Sequence, residues 1–219
     1  MGGLGQERKN VMYNYVTEEQ VSRYKSLFQS ILDRLREKLK REYGTEVRIV
    51  LVGSGASNMV TRNGNDGFDL DYNLVLSSIP PEYAGSPQNL KTIVRRELDA
   101  LVPGEFSYGK DSTSAITCLL HSPDKSKVIF KVDVALILAG KNGYSRLVRD
   151  RNTKRYIWNL IRKSGDLKPR LNAIKAAGRL DELADIYRQK KNMYLSRQDN
   201  DHPSFVVYIE AINELYQKL

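Results

Sequence analysis

Three aspartates carry the chemistry that this sequence offers. Asp69 and Asp71 stand two residues apart in the run Phe68-Asp69-Leu70-Asp71-Tyr72-Asn73. In an extended strand, residues 69, 71 and 73 point one way and residues 70, 72 and 74 the other. Two carboxylates on one face at that spacing repel, and a divalent cation with oxygen ligands is the usual remedy. Ahead of them, the apolar run Ile49 to Val52 stops at Gly53-Ser54-Gly55. Such a turn offers free backbone N–H groups and a hydroxyl, which suit phosphate oxygens. The third acid, Asp133, lies in the otherwise mostly apolar run VIFKVDVALIL, where an unpaired carboxylate is costly to bury. Lys131 shares its strand face and is expected either to pair with Asp133 or to touch phosphate. A phosphate cradle beside metal-binding carboxylates points to phosphoryl or nucleotidyl transfer.

Periodicity supplies the elements that must hold these residues. Thr17 with Gln20 makes a capping-box pattern, after which Val21, Tyr24, Phe28, Ile31, Leu32, Leu35 and Leu39 recur at helical spacing until Gly44. Val47–Val52 is the first strand, residues 56–63 are expected to begin a helix directly after the Gly-Ser turn, and residues 68–76 form the next strand. A helix is expected over 88–102, stopped by Pro103-Gly104. Two extended runs, 114–121 and 128–138, are joined at Ser122-Pro123-Asp124-Lys125 as a hairpin or short loop. From Ala139 on, helical patterns are expected at 153–163, 169–177, 180–195 and 204–217. The expected division is an N-terminal arm over 1–16, a mixed α/β core over 17–140 and a C-terminal helical lobe over 141–219.

With Gly53-Ser54, Asp69-Leu70-Asp71 and Asp133 in that order, the chain resembles the DNA polymerase β nucleotidyltransferase superfamily over residues 17–138. The resemblance implies an α/β (α+β) fold, a mixed β-sheet flanked by helices. It further implies a nucleoside triphosphate held by two Mg²⁺ ions, with Mn²⁺ as a substitute, on Asp69, Asp71 and Asp133. Asp69 and Asp71 would bind both ions. Asp133 would complete the acceptor-side ion and help deprotonate the attacking hydroxyl, while Gly53 and Ser54 would hold the terminal phosphates. Arg62 and Lys131 are further candidate nucleotide contacts. Two departures stand out: Phe68 precedes the first acid where many members have Ser or Thr, and the loop from Ser54 to Asp69 is long. The implied activity moves a nucleoside monophosphate to a hydroxyl and releases pyrophosphate, with RNA or a nucleotide as acceptor. The alternatives are a small-molecule acceptor, as in antibiotic-modifying members, and a non-catalytic nucleotide-binding partner of the toxin–antitoxin kind.

Composition adds weaker constraints. Lys and Arg outnumber Asp and Glu by 35 to 26, a net charge of +9 that favours polyanionic partners. Arg146, Arg149, Arg151, Lys154 and Arg155 crowd together just before Tyr156 and Trp158. Such a cluster is first a solvated face and second a nucleic-acid contact. No run approaches the ~18 apolar residues of a membrane span, and the first fifteen residues hold no apolar secretory segment. Cys118 is the only cysteine, so no internal disulfide can form; a cytoplasmic location without membrane association is expected. His121 and His202 are too far apart for a zinc-ligand motif.

Overall fold

A computed structural model describes residues 12–108, 112–161, 167–199 and 202–219. Most of the expected N-terminal arm, residues 1–11, lies outside the described residues. In chain order the elements are β1 (Tyr13–Tyr15), α1 (Glu18–Tyr43), β2 (Val47–Val52), α2 (Gly53–Ala56), β3 (Thr61–Asn63) and β4 (Phe68–Leu76). Then come α3 (Pro81–Ala84), α4 (Pro87–Asp99), β5 (Phe106–Tyr108), β6 (Ile116–His121), β7 (Val128–Gly140), β8 (Gly143–Arg149) and β9 (Tyr156–Leu160). Three helices close the chain: α5 (Leu167–Ala176), α6 (Leu180–Ser196) and α7 (Ser204–Tyr216). These elements belong to two compact units, one of Val16–Val60 with Asp66–Lys163, the other of Met1–Tyr15, Thr61–Asn65 and Ser164–Leu219.

The first unit is built on a seven-stranded mixed sheet of order β2-β4-β7-β6-β5, with β8 hydrogen-bonded to β7 and β9 to β8. β4 and β7 run parallel, and their register sets Asp71 against Asp133 and Asp69 against Lys131. β2 is antiparallel to β4, with Val52 opposite Asp71. The burial of β4 alternates as the period-2 pattern requires: Phe68, Leu70, Tyr72 and Leu74 are buried, whereas Asp69, Asp71 and Asn73 are only partly so. The buried set packs with Phe28, Leu32, Leu35 and Leu39 of α1 and with Leu90, Val94 and Leu98 of α4. One sheet face is thereby covered by helices, and the three aspartates occupy the other.

α1 starts and ends where the sequence says it should. The Thr17 hydroxyl accepts from the Gln20 N–H at 3.3 Å, and Gly44 closes the helix in the left-handed conformation with φ of 58°. A second lock joins α1 to α4. Glu97, its side chain only 6% exposed, pairs with Lys38 and Arg96 and accepts from the Tyr43 hydroxyl at 2.6 Å.

Three expectations are corrected. Residues 56–63 do not start a helix; the turn of helix at Gly53–Ala56 is followed by strand β3, which pairs with β1. Residues 153–163 are not helical either, since Tyr156–Leu160 is a strand against β8. A core boundary near residue 140 would therefore cut through the β7–β8 hairpin, in which Gly140 faces Gly143.

In the second unit, β1 and β3 form an antiparallel ribbon accompanied by α5, α6 and α7. Asn192 of α6 grips the ribbon's backbone, accepting from the Tyr13 N–H at 2.6 Å and donating to the Tyr13 carbonyl at 3.2 Å. Leu183, Ile186, Tyr187, Val207, Ala211, Ile212 and Leu215 are buried where α6 and α7 meet. The three helices expected at 169–177, 180–195 and 204–217 are present with ends shifted by a few residues at most.

Candidate active site

The parallel pairing of β4 with β7 does what sequence spacing alone could not, bringing the third acid beside the first two. One carboxylate oxygen from each of Asp69, Asp71 and Asp133 can be chosen so that all lie within 4.8 Å of one another. Each has a different supporting shell. The Thr117 hydroxyl on β6 donates to Asp133 Oδ1 at 2.6 Å, and Lys131 Nζ donates to Asp133 Oδ2 at 3.0 Å. The same ammonium lies 3.8 Å from Asp69 Oδ2. Lys131 is thus an ion partner of two of the three acids.

Asp71 is the most constrained of the trio. Burial, then the charges of Asp69 and Asp133, push its carboxyl up to about 6, against the opposing pull of Lys131 and Arg146. For Lys131, burial works against its charge, but the hydrogen bond to Asp133 and the three carboxylates outweigh it and raise its pKa. A cluster of hard oxygen donors in which the central acid resists ionisation fits a divalent cation, which would supply the missing positive charge.

The turn after β2 is pressed against this cluster. Gly53 has φ of +63°, and a Cβ there would lie 2.9 Å from Asp71 Oδ2. Only glycine satisfies both the backbone conformation and the close approach. Gly55 is needed for a different reason: a Cβ would fall 2.8 Å from Leu70 Cδ2. The Ser54 carbonyl accepts from the Met59 N–H at 2.9 Å, which folds the following loop back on the turn.

Two clefts flank the carboxylates. One, of about 380 Å³, is lined by Asp66, Asp69, Lys127 and Lys131 among others. The other, of about 120 Å³, is lined by Asp71, Asn73, Ser112, Ser114, Asp133 and Arg146 among others. It opens where the edge of β7 passes from β6, paired as far as Val134, to β8, paired from Ile137 onward.

Of the residues singled out from sequence, the structure brings together Gly53, Asp69, Asp71, Lys131 and Asp133, with Ser54 next to Gly53 in the same turn. Arg62 lies outside that unit, on β3 opposite Asn14. The basic cluster splits. Arg151, Lys154 and Arg155 are exposed near the β8–β9 turn, and Arg149 Nε donates to the Lys154 carbonyl at 3.1 Å, as a solvated face would have it. Arg146 alone turns toward the aspartates. Tyr156 and Trp158, two apart on a strand rather than a helix, share a face and pack against the core. Thr117 carries no signal that sequence reasoning could use. Asn73 does, being in phase with Asp69 and Asp71.

No protein-family model matches the chain, and no curated protein matches it. Solved structures do. The chain is similar to Vibrio cholerae DncV cyclic AMP-GMP synthase in complex with the linear intermediate pppA(3′,5′)pG, with a TM-score of 0.58 and 13% identity. That match covers 83% of this chain and 61% of the synthase chain, so the chain spans about three fifths of that protein's length. The V. cholerae di-nucleotide cyclase DncV in complex with GTP and 5MTHFGLU2 matches with a TM-score of 0.64 and 13% identity over 96% of this chain and 71% of that one. DncV in its 3′-deoxy ATP bound form matches at 0.59 and 12% identity over 96% and 69%. At these identities the likeness establishes the fold: a nucleotidyltransferase-type mixed sheet flanked by helices, as the sequence resemblance implied.

Proposed function

We propose that this protein is a metal-dependent nucleotidyltransferase that moves a nucleoside monophosphate from a nucleoside triphosphate to the hydroxyl of a second nucleotide. The observation that carries this reading is the convergence of Asp69, Asp71 and Asp133 within 4.8 Å on the sheet face opposite the helices. Asp69, Asp71 and Asp133 would hold Mg²⁺. When bound, the ion supplies charge neutralisation for the phosphates and lowers the pKa of the attacking hydroxyl. The chain's own residues do the rest. Gly53 keeps the turn close enough to Asp71 for backbone N–H groups to meet a phosphate placed there. Thr117 and Lys131 hold the Asp133 carboxylate in one orientation, from which it would take the proton of the acceptor hydroxyl. As that oxygen bonds to the α-phosphorus, the bond from the α-phosphorus to the bridging oxygen breaks, and pyrophosphate leaves. Lys131 and Lys127, both beside Asp69, supply positive charge for the departing group.

Likeness supports the choice of acceptor. Structures of the similar synthase contain GTP or a linear dinucleotide, which favours a nucleotide acceptor over RNA or a small molecule. The test is incubation with all four nucleoside triphosphates and Mg²⁺, following pyrophosphate release and product mass. Dinucleotide products are expected. Extension of added RNA would move the acceptor to RNA, and triphosphate binding without pyrophosphate release under any of these conditions would overturn the enzymatic reading. No helix among the described residues is long and apolar enough to cross a membrane.

A further inference from the structure

β9 ends the sheet, hydrogen-bonded to β8 and to no other strand among the described residues. Its ladder fixes which backbone groups that leaves over. The Ile161 N–H donates to the Tyr144 carbonyl at 2.8 Å. Because inward and outward groups alternate along an antiparallel strand, Ile157 and Asn159 also face β8. Tyr156, Trp158 and Leu160 therefore turn their N–H and C=O groups outward, and no partner meets them among the described residues. The side chains along this edge are apolar and open to solvent: Tyr144, Ile157, Leu160 and Ile161 are 48%, 44%, 54% and 43% exposed. Natural edge strands are blunted by lysine, proline, a bulge or a covering segment. The run 156–161 contains no lysine and no proline, and β9 pairs with β8 in unbroken register.

The charge at one end of this edge narrows what pairs with it. Arg149, Arg151, Lys154 and Arg155 lie at or beside the β8–β9 turn and are exposed. None of them forms an ion pair among the described residues. Asp150, the one acid in the turn, is turned to its own loop: its Oδ1 accepts from the Asn152 and Thr153 N–H groups and the Thr153 hydroxyl. An acidic segment would meet the cations. A second copy of β9 would not, since residues 155–163 contain no acid. RNA would answer the cations, but its phosphates only accept and would leave the outward carbonyls and the apolar side chains unmet.

We propose that the outer edge of β9 is a docking site for an extended peptide segment that carries acidic residues at one end. The segment adds to the sheet as a further antiparallel strand, its main chain pairing with Tyr156, Trp158 and Leu160. Residues two apart share a face, so its apolar side chains lie beside Ile157 and Ile161 on one face and beside Leu160 on the other. In this orientation its C-terminal end runs toward the turn, where its acids meet Arg151 and Arg155. The inference goes beyond the nucleotidyl-transfer reading and does not depend on it, because none of these residues belongs to the carboxylate cluster.

The probe is a synthetic peptide blocked at both ends, alternating threonine and valine and finishing in a run of glutamates. Its binding to the full chain is followed by calorimetry and by amide hydrogen exchange. Binding is expected to slow exchange at Tyr156, Trp158 and Leu160 and to leave Ile157 and Asn159, whose amides already bond to β8, unchanged. The same peptide with its threonine and valine amides N-methylated, or with lysines in place of the glutamates, is expected to bind roughly tenfold or more weakly. Leu160→Pro removes an outward N–H and leaves the β8 ladder intact, and is expected to weaken binding by roughly tenfold. Arg151→Glu combined with Arg155→Glu is expected to prefer the lysine-ended peptide. That reversal is a gain that a misfolded variant does not produce, and the exchange pattern requires no variant at all. The proposal is overturned if the wild type does not bind the glutamate peptide, if it retains single-stranded RNA and not the peptide, or if the N-methylated peptide binds equally well. It is also overturned if slowed exchange ignores the alternation, or if the same pattern arises from raised protein concentration without peptide, which would make a second copy the occupant.

Discussion

Asp71 sits at the point where the fold and the proposed chemistry pull against each other. It is flanked on its strand face by Asp69, faces Asp133 across the β4–β7 pairing, and has Gly53 pressed against its carboxylate. Lys131 offsets only part of the crowding, because it is spent on Asp69 and Asp133. Removing the charge should therefore relieve the metal-free protein. Asp71→Asn is expected to raise its melting midpoint at neutral pH by about 2–4 °C, what roughly 1 kcal/mol does in a chain of this size. The same change should cut Mg²⁺-dependent pyrophosphate release by at least about 100-fold, because a ligand and its charge are lost. Melting curves without metal and a pyrophosphate assay check the two halves. A variant that is less stable and still turns over would show that Asp71 is a structural acid. At this scale much of the site was legible, since acid spacing and the Gly-Ser turn are local patterns. Thr117 was not, because its role exists only once β6 lies beside β7. Asn73 was legible in phase, but that it lines a cleft beside Asp71 and Asp133 emerges only once the strands pair.

Among the elements, those with a single dominant period were read correctly, and those with two competing periods were not. α1, β2 and β4 have sharp ends, set by Thr17 and Gly44 for the helix and by the Gly53 turn and the 64–67 loop for the strands. The segment 153–163 holds apolar residues at 156, 157, 158, 160 and 161, which fits a helix stripe as well as a two-sided strand. Pairing with β8 decides for the strand, and that pairing is a long-range event. The α1–α4 lock was likewise invisible, because Lys38, Tyr43, Arg96 and Glu97 look like solvated charges until the helices meet. Hydrogen bonds from Lys38 and Tyr43, with Arg96 adding to them against the cost of burial, hold the Glu97 carboxyl down at about 2. A carboxyl lowered on folding contributes stability above its ordinary value near 4.5, and that contribution is lost as pH falls toward 2. Glu97→Gln is expected to lower the melting midpoint at pH 7 by at least about 3 °C and to flatten the acid side of the stability profile. Equal acid sensitivity in the variant and the wild type would remove Glu97 from that role.

For the molecule as a whole, the excess of 35 basic over 26 acidic residues first suggested a polyanionic partner. The placement of those charges changes its meaning. Lys131 is paired with the aspartates, Lys38 and Arg96 are held by Glu97, and Arg149, Arg151, Lys154 and Arg155 cluster around the β8–β9 turn instead of lining the carboxylate clefts. Among the described residues, charges placed in this way favour general attraction of anions over a track for a nucleic-acid backbone. Salt separates the two cases. A protein that holds RNA through six to ten phosphates loses about 10³–10⁵ in affinity between roughly 50 and 200 mM salt, because each contact releases a counterion. A mononucleotide held by a metal and a glycine turn has few exposed contacts to screen. We expect the KM for nucleoside triphosphate to change by less than about threefold over that range, and retention of single-stranded RNA to vanish at its upper end. Initial rates of pyrophosphate release and fluorescence anisotropy of labelled RNA, measured in the same buffers, give both numbers. A steep salt dependence shared by catalysis and RNA retention would mean that the basic excess serves the acceptor, and the acceptor would then be a polynucleotide.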